Sequence, residues 1–203
     1  MTIIQMSWYK WQSWWRLPSA YQEVEYIEGS WTQYIDTWIS SDHPTWLWER
    51  EMKYNNLWTK AVDREQYIWW DDAVPRVYYQ NWSTYTMFAL GNSRRNCGSW
   101  TFANTDIVLA AKSSWLLVNG DSRWSYSPWP RWTLWFYVFS AAIDNRPASM
   151  KLYYLKMWSD GVLVRDFVPC YRKADNVIWL YDLATDTFYT NAWSWVFSKW
   201  SNV

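Results

Sequence analysis

Nineteen carboxylates share this chain of 203 residues with a single histidine, His43, and two cysteines, Cys97 and Cys170. Paired carboxylates are the first chemistry to consider. Glu23, Glu25 and Glu28 fall within "EVEYIE" (23–28), and Glu49 and Glu51 repeat the same spacing. Period two puts Glu23 and Glu25 on one face of a strand. Two carboxylates about 5–9 Å apart across a glycosidic bond can act as acid and base, or as acid and nucleophile. These residues open the fold, however, on the polar side of a strand that reads as solvated. His43 stands in "SSDHPTW", with no sharp strand-to-helix turn that would expose a nucleophile. It reads as a loop histidine. Asp71 and Asp72 offer hard oxygen ligands for calcium, but no regular Asp or Asn spacing surrounds them, so they read as a solvated turn. One His and two distant Cys cannot build a structural zinc site alone. No catalytic, cofactor-binding or metal-binding set is therefore assigned. The chain is expected to be non-enzymatic and to need no cofactor.

The totals narrow the partners. Lys and Arg number 19 against 19 acids, a formal net charge of zero. No basic surface is implied, so nucleic acid is not an expected partner. No apolar run approaches the roughly 18 residues of a membrane span. The N-terminus "MTIIQMSWYKWQSWWRLPS" has neither a basic leading region nor a continuous apolar stretch, so no signal peptide is expected. The aromatic content is anomalous: 23 Trp and 5 Gly. Ordinary usage is about 7% Gly, or roughly 14 in a chain of this size.

The elements that must position these residues read as β. Residues 1–16 form an aromatic-rich tail, and 17–203 form a single domain. Short β-branched or aromatic runs bounded by polar breakers recur at 23–28, 32–37, 76–80, 84–90, 106–111, 176–183 and 187–191. Asn119-Gly120 and Asp160-Gly161 each separate two such runs and predict two-residue hairpins. No long segment has helical periodicity. An antiparallel β-sandwich of the jelly-roll kind is the expected architecture. "VYY" (77–79), "FYVF" (136–139) and "LYY" (152–154) are expected to build its inter-sheet core.

Two blocks resemble a known domain. "LPSAYQEVEYIEGSWTQYIDTWI" (17–39) resembles the opening of a laminin-G/concanavalin A-like jelly roll found in phage structural proteins and bacterial surface proteins. "ASMKLYYLKMWSDGVLVRDFVPCYRKADNVIWLYDLATDTFYTNAWSWVFSKWSNV" (148–203) resembles its closing section. The resemblance implies two packed antiparallel sheets, with opening and closing strands near one another. It also implies a module of a phage particle or cell surface, acting in adhesion or particle assembly, with glycans or other virion or surface proteins as partners. A glycoside hydrolase on the same fold and a purely structural virion subunit are the alternatives. Arg165, Asp166, Tyr181 and Asp182 lie in the closing block and read as a half-buried arrangement fixing strand register. Cys170, after Pro169, reads as a small buried hydrophobe.

Departures from the family pattern are systematic. The family has Gly where this chain has Trp31, Trp38, Trp179, Trp193, Trp195 and Trp200. Trp82, Trp100, Trp124, Trp129 and Trp132 also stand among Ser, Asn, Pro and Thr, the neighbours of turns. Independent substitutions would scatter among residue types. A UGA codon used as Gly and written as Trp explains a single replacement; a designed or naturally Trp-rich variant is the alternative. On the UGA reading most Trp residues are expected in turns or at strand ends, exposed, and several at positive φ.

Overall fold

The computed structural model describes residues 16–29, 34–40, 48–56, 63–66, 76–80, 85–90, 93–96, 105–112, 115–125, 135–141, 146–147, 150–190 and 197–203. Among them every regular element is a strand. In chain order these are β1 (Tyr21–Glu23), β2 (Ile27–Gly29), β3 (Ile35–Ser40), β4 (Trp48–Asn56), β5 (Asp63–Gln66), β6 (Arg76–Gln80) and β7 (Tyr85–Leu90). There follow β8 (Ser93–Asn96), β9 (Asp106–Lys112), β10 (Trp115–Val118), β11 (Asp121–Ser125), β12 (Trp135–Val138), β13 (Ser140–Ala141) and β14 (Arg146–Pro147). The chain closes with β15 (Met150–Ser159), β16 (Val162–Arg172), β17 (Ile178–Asp182), β18 (Thr187–Tyr189) and β19 (Ser198–Lys199).

Alternation explains the larger sheet. In β4, Met52 and Tyr54 face inward, while Glu51, Lys53 and Asn55 alternate with them. Ile107 and Leu109 of β9 repeat the pattern, as do Met150, Leu152, Leu155 and Met157 of β15. The step from Leu152 to Leu155 breaks strict period two. It coincides with a register shift between Leu152 and Tyr154 against β4, a bulge that turns both Tyr153 and Tyr154 away from the core. All pairings in this sheet are antiparallel. Its main path runs β11-β10-β9-β4-β15-β16-β17-β18, with β1, β2 and β19 added at the side. A second sheet runs β3-β12-β5-β6-β7-β8. Ile35 of β3 and Val138 of β12 belong to the same buried cluster as Met52, Leu109, Leu155 and Phe167, so both sheets contribute to one core. Each such aliphatic or aromatic side chain contributes roughly 1.5–3 kcal/mol by leaving water.

Both predicted hairpins are present. Asn119 (φ 52°) and Gly120 (φ 86°) link β10 to β11, and Asp160 (φ 49°) and Gly161 (φ 76°) link β15 to β16. Two consecutive left-handed residues match the right-handed twist of the flanking strands. The opening of the chain meets its close, as expected. Tyr21–Glu23 pairs with Cys170–Arg172, and Ile27–Gly29 pairs with both Met150–Leu152 and Ser198–Lys199. The last residues continue this seam through a bridge from Val24 to Asn202 and a bond from the Glu25 N–H to the Ser201 carbonyl, 3.0 Å.

Three expectations need correction. The run 23–28 is two strands, because the chain bends at Glu25 as it leaves β16 and joins β15. Of "LYY" (152–154), only Leu152 enters the core, for the bulge described above. The Trp expectation holds in placement for Trp48, Trp115, Trp135, Trp158 and Trp200, at or beside strand ends, and fails in backbone conformation. Trp38, Trp124 and Trp179 lie within strands, Trp48, Trp115 and Trp135 open strands, and Trp158 and Trp200 sit near strand ends. No described Trp has positive φ; those positions belong to Asn119, Phe139, Asp160, Asn176, Asp186, Gly120 and Gly161. Short polar side chains hydrogen-bond locally and tolerate the left-handed region, so these turns need no Gly in place of Trp. Trp31, Trp82, Trp100, Trp129, Trp132, Trp193 and Trp195 lie outside the described residues, as do His43, Asp71, Asp72 and Cys97.

Candidate functional site

The larger sheet carries two side-chain clusters; in the first, Asp182 and Arg165 lie on the core side, level with Phe167 and Met157, while Asp166, Lys156 and Glu23 lie on the other face. The first lies on β1, β15, β16 and the β17–β18 turn. Asp182 is fully buried and accepts from the Asp166 N–H (2.8 Å), the Ala184 N–H (3.0 Å) and the Thr185 hydroxyl (2.6 Å). Arg165 Nε stands 3.4 Å from its second oxygen, and Arg165 Nη1 donates to the Val164 carbonyl at 2.7 Å. This arrangement joins β16 to the turn after β17, the register-fixing role read from the closing block. Tyr181 donates its hydroxyl to Asp186 at 2.8 Å on the same turn. Burial, with that bond second, pushes the Tyr181 phenol up to about 12.

Beside Asp182, Asp166 gathers cations. Its Oδ2 is 3.4 Å from Lys156 Nζ and 3.7 Å from Arg16 Nη2, while Arg16 Nη1 lies 3.8 Å from Glu23 Oε1. Arg16, read as the last residue of the tail, thus bridges carboxylates on β1 and β16. Burial holds the Glu23 carboxyl above its ordinary value; Arg16 opposes the rise, and Asp166 adds to it. Cys170, register partner of Glu23, is wholly buried, and desolvation pushes its thiol up to about 12. A thiol so held is not a nucleophile at neutral pH. Next to these, Tyr21 stacks on Phe188 (3.8 Å between centroids), Tyr181 leans on the same ring (4.3 Å), and Trp179 meets it edge-on (5.3 Å).

The second cluster lies on β2, β4, β9, β15 and the segment after β19. Asp106 opens β9 and faces Asn55 across the β4 ladder. Its Oδ1 accepts from Asn55 Nδ2 (2.9 Å) and from the Tyr153 hydroxyl (3.0 Å), and its Oδ2 pairs with Lys53 Nζ (3.0 Å). Burial would raise the Asp106 carboxyl; the hydrogen bonds from Asn55, Lys53 and Tyr153 outweigh it and leave the group below its usual range. Tyr153 packs against Tyr26 at 5.3 Å and 60°. Tyr26 in turn lies almost parallel to Trp200, 5.9 Å and 10°. Lys151 Nζ stands 4.4 Å above the Tyr26 ring, and Lys53 Nζ stands 4.2 Å above that of Tyr153. Between the clusters, Tyr154 donates to Glu51 at 3.1 Å.

The remaining sequence candidates are dispersed. Glu23 is half-buried on β1, Glu25 is exposed at the bend, and Glu28 lies on β2, so Glu23 and Glu25 do not share one strand face. Glu49 sits two residues before Glu51 on β4, opposite Trp158. Among the described residues no three His, Cys, Asp or Glu side chains gather as metal ligands. Likewise no helix there is long and apolar enough to cross a membrane. The second cluster escaped sequence reading, because Asn55, Asp106 and Tyr153 are adjacent only through long-range pairing. The one local signal was the alternation of Lys53 and Asn55 with the core residues of β4. Comparison with protein-family models, curated proteins and solved structures gives no match for this chain.

Proposed function

We propose that the chain is a non-enzymatic jelly-roll module of a phage particle or bacterial surface protein, acting in adhesion through weak glycan contacts. The resemblance of 17–39 and 148–203 supplies the setting. The observation that carries the adhesive reading is the second cluster, where the exposed Asp106 carboxylate meets the Asn55 amide and the Tyr153 hydroxyl, with the Tyr26 ring buried beside them under Trp200. Sugars present apolar C–H faces to aromatic rings and hydroxyls to amides and carboxylates. A site with few such groups binds weakly, near millimolar, about −4 kcal/mol. Useful adhesion then depends on many copies, which raise avidity by about 10²–10⁴. A glycan array probed with the monomeric chain and with the same chain on multivalent beads tests this. Signal confined to the beads is expected. Silence in both formats would favour a role in particle assembly.

One observation favours a second reading, glycoside hydrolysis. Glu23 has a pKa raised by burial and shares Arg16 with Asp166, which places two carboxyls about one guanidinium. The bridging guanidinium neutralises the space between them and supports the structural role instead. Release of reducing ends from an arrayed glycan, abolished by Glu23→Gln, would reverse that preference.

A further inference from the structure

Tyr26 is only 6% exposed, and among the side chains packed on it, with Tyr153 and Lys151, is one that is itself mostly in solvent: Trp200, 59% exposed. The indole lies within 10° of the Tyr26 plane. Lys151 Nζ stands over both rings, 4.4 Å from one centroid and 6.0 Å from the other. Flat, nearly parallel coverage of one ring by a ring-sized group is the geometry in which a pyranose lies on an aromatic residue. Position 200 is also one where the resembling family has Gly. A Gly there removes the indole and leaves Lys151 and Tyr153 as the groups bordering the Tyr26 ring.

A second observation lies at the polar end of the same cluster. Asn55 is 9% exposed, and its Oδ1 is enclosed with no hydrogen-bond partner among the described residues, although its Nδ2 donates to Asp106. Leaving a buried acceptor unpaired costs about 1–3 kcal/mol. Native structures keep few such atoms without a reason. A ligand hydroxyl, a donor on a small rotatable group, would recover that cost once a local shift uncovers the oxygen. The cluster therefore joins a stacking floor (Tyr26, Tyr153), an anionic acceptor (Asp106), an unpaired acceptor (Asn55) and two ammonium donors (Lys53, Lys151).

We propose that the outer face of β2, β4, β9 and β15 holds a saccharide subsite, in which one pyranose ring lies on Tyr26 in the place the Trp200 indole occupies and its hydroxyls reach Asp106 and Asn55. This rests on the adhesion reading and assigns it an address. The neutral, hydroxyl-rich class of sugar fits best, because the two ammonium groups are already committed, Lys53 to Asp106 and Lys151 to the Tyr26 face.

Saturation-transfer NMR on the full chain tests it, with cellobiose, maltose, lactose and N,N′-diacetylchitobiose as probes. Trp200→Gly is expected to bind at least one disaccharide tenfold more tightly than the parent chain. Tyr26→Leu in the Trp200→Gly background should lose at least tenfold, and Asp106→Asn severalfold. Tyr26→Phe keeps the ring and should keep binding. Because Tyr26 is buried, Tyr153→Leu provides a second aromatic deletion at a more exposed position, with the same loss expected. Thermal unfolding of every variant identifies those that remain folded. Binding unchanged by Tyr26→Leu and Tyr153→Leu in folded proteins overturns the subsite and leaves adhesion through another surface standing. No binding by Trp200→Gly overturns the subsite as well. If the multivalent array is also silent, the adhesion reading falls with it.

Discussion

At the scale of single residues, the described molecule separates groups that hold the fold from groups that face solvent. Asp182 is the plainest case of the first. It is wholly enclosed and accepts from two backbone N–H groups and one hydroxyl, with Arg165 alongside. Removing one partner of a buried charged arrangement costs about 3–5 kcal/mol, because the other is left unpaired. Asp182→Ala should therefore lose about that much in chemical denaturation, and Thr185→Val about 1 kcal/mol. Glu23 gives the opposite sign. Its folded pKa lies above the unfolded value because burial disfavours the carboxylate. The folded state then binds the extra proton, so this group's contribution falls as pH rises from the unfolded pKa through the folded one. Glu23→Gln should be more stable than the parent near pH 7, and the advantage should vanish below about pH 4, close to the ordinary Glu value. Asp106 has a lowered pKa, so its contribution is present above the unfolded value and is lost as pH falls through the folded one. Stability-difference curves of Glu23→Gln and Asp106→Asn against pH should therefore run in opposite senses. Trp179 belongs to neither group. Its indole Nε1 is buried with no acceptor among the described residues, although buried indoles ordinarily find one.

At the scale of elements, two glycines make different demands. Gly161 sits at φ 76° with no atom within 4 Å of a would-be Cβ, so only backbone conformation opposes substitution. Gly29 has ordinary φ, but a Cβ there would stand 2.7 Å from Phe139 Cδ1. Phe139 is itself fully buried, left-handed (φ 73°) and packed on Phe197 at 4.9 Å, so it has little room to yield. Gly161→Ala should cost about 1–2 kcal/mol, the left-handed penalty. Gly29→Ala should cost about 1–3 kcal/mol by overpacking. A double-mutant cycle separates the causes: Phe139→Leu should relieve the second and leave the first unchanged. Legibility in the sequence follows the same physics. The Asn119-Gly120 and Asp160-Gly161 turns were legible, since consecutive left-handed residues select those side chains. So was β6, whose bounds match the run read at 76–80. The division of 23–28 at Glu25 was not, nor the bulge at Tyr153 and Tyr154. Both depend on which partner strand each residue meets, and period two contains no term for that. The bulge mattered most, because it turned Tyr153 from an expected core residue into a wall of the aromatic cluster. Asp166 and Asp182 were legible through the resemblance alone, and their cation partner Arg16 was hidden by its place in an apparent tail.

At the scale of the whole molecule, the described residues form an all-β frame in which segments 21–29 and 150–203 pair with one another. Replacing Trp38, Trp179 and Trp200 with Gly together should leave circular dichroism dominated by strand and should reduce self-association, because the exposed indole at 200 is removed. Increased aggregation would argue that these indoles are native. The adhesion account makes a sharper demand, that affinity be weak for one copy and strong for many. Surface plasmon resonance on the best glycan from the array measures this directly, comparing the Trp200→Gly monomer with the same protein displayed on a multivalent particle. The account predicts a monomer dissociation constant near 1 mM and an apparent gain of about 10²–10⁴ on the particle. A monomer that binds in the nanomolar range, or a particle that gains nothing over the monomer, would contradict it.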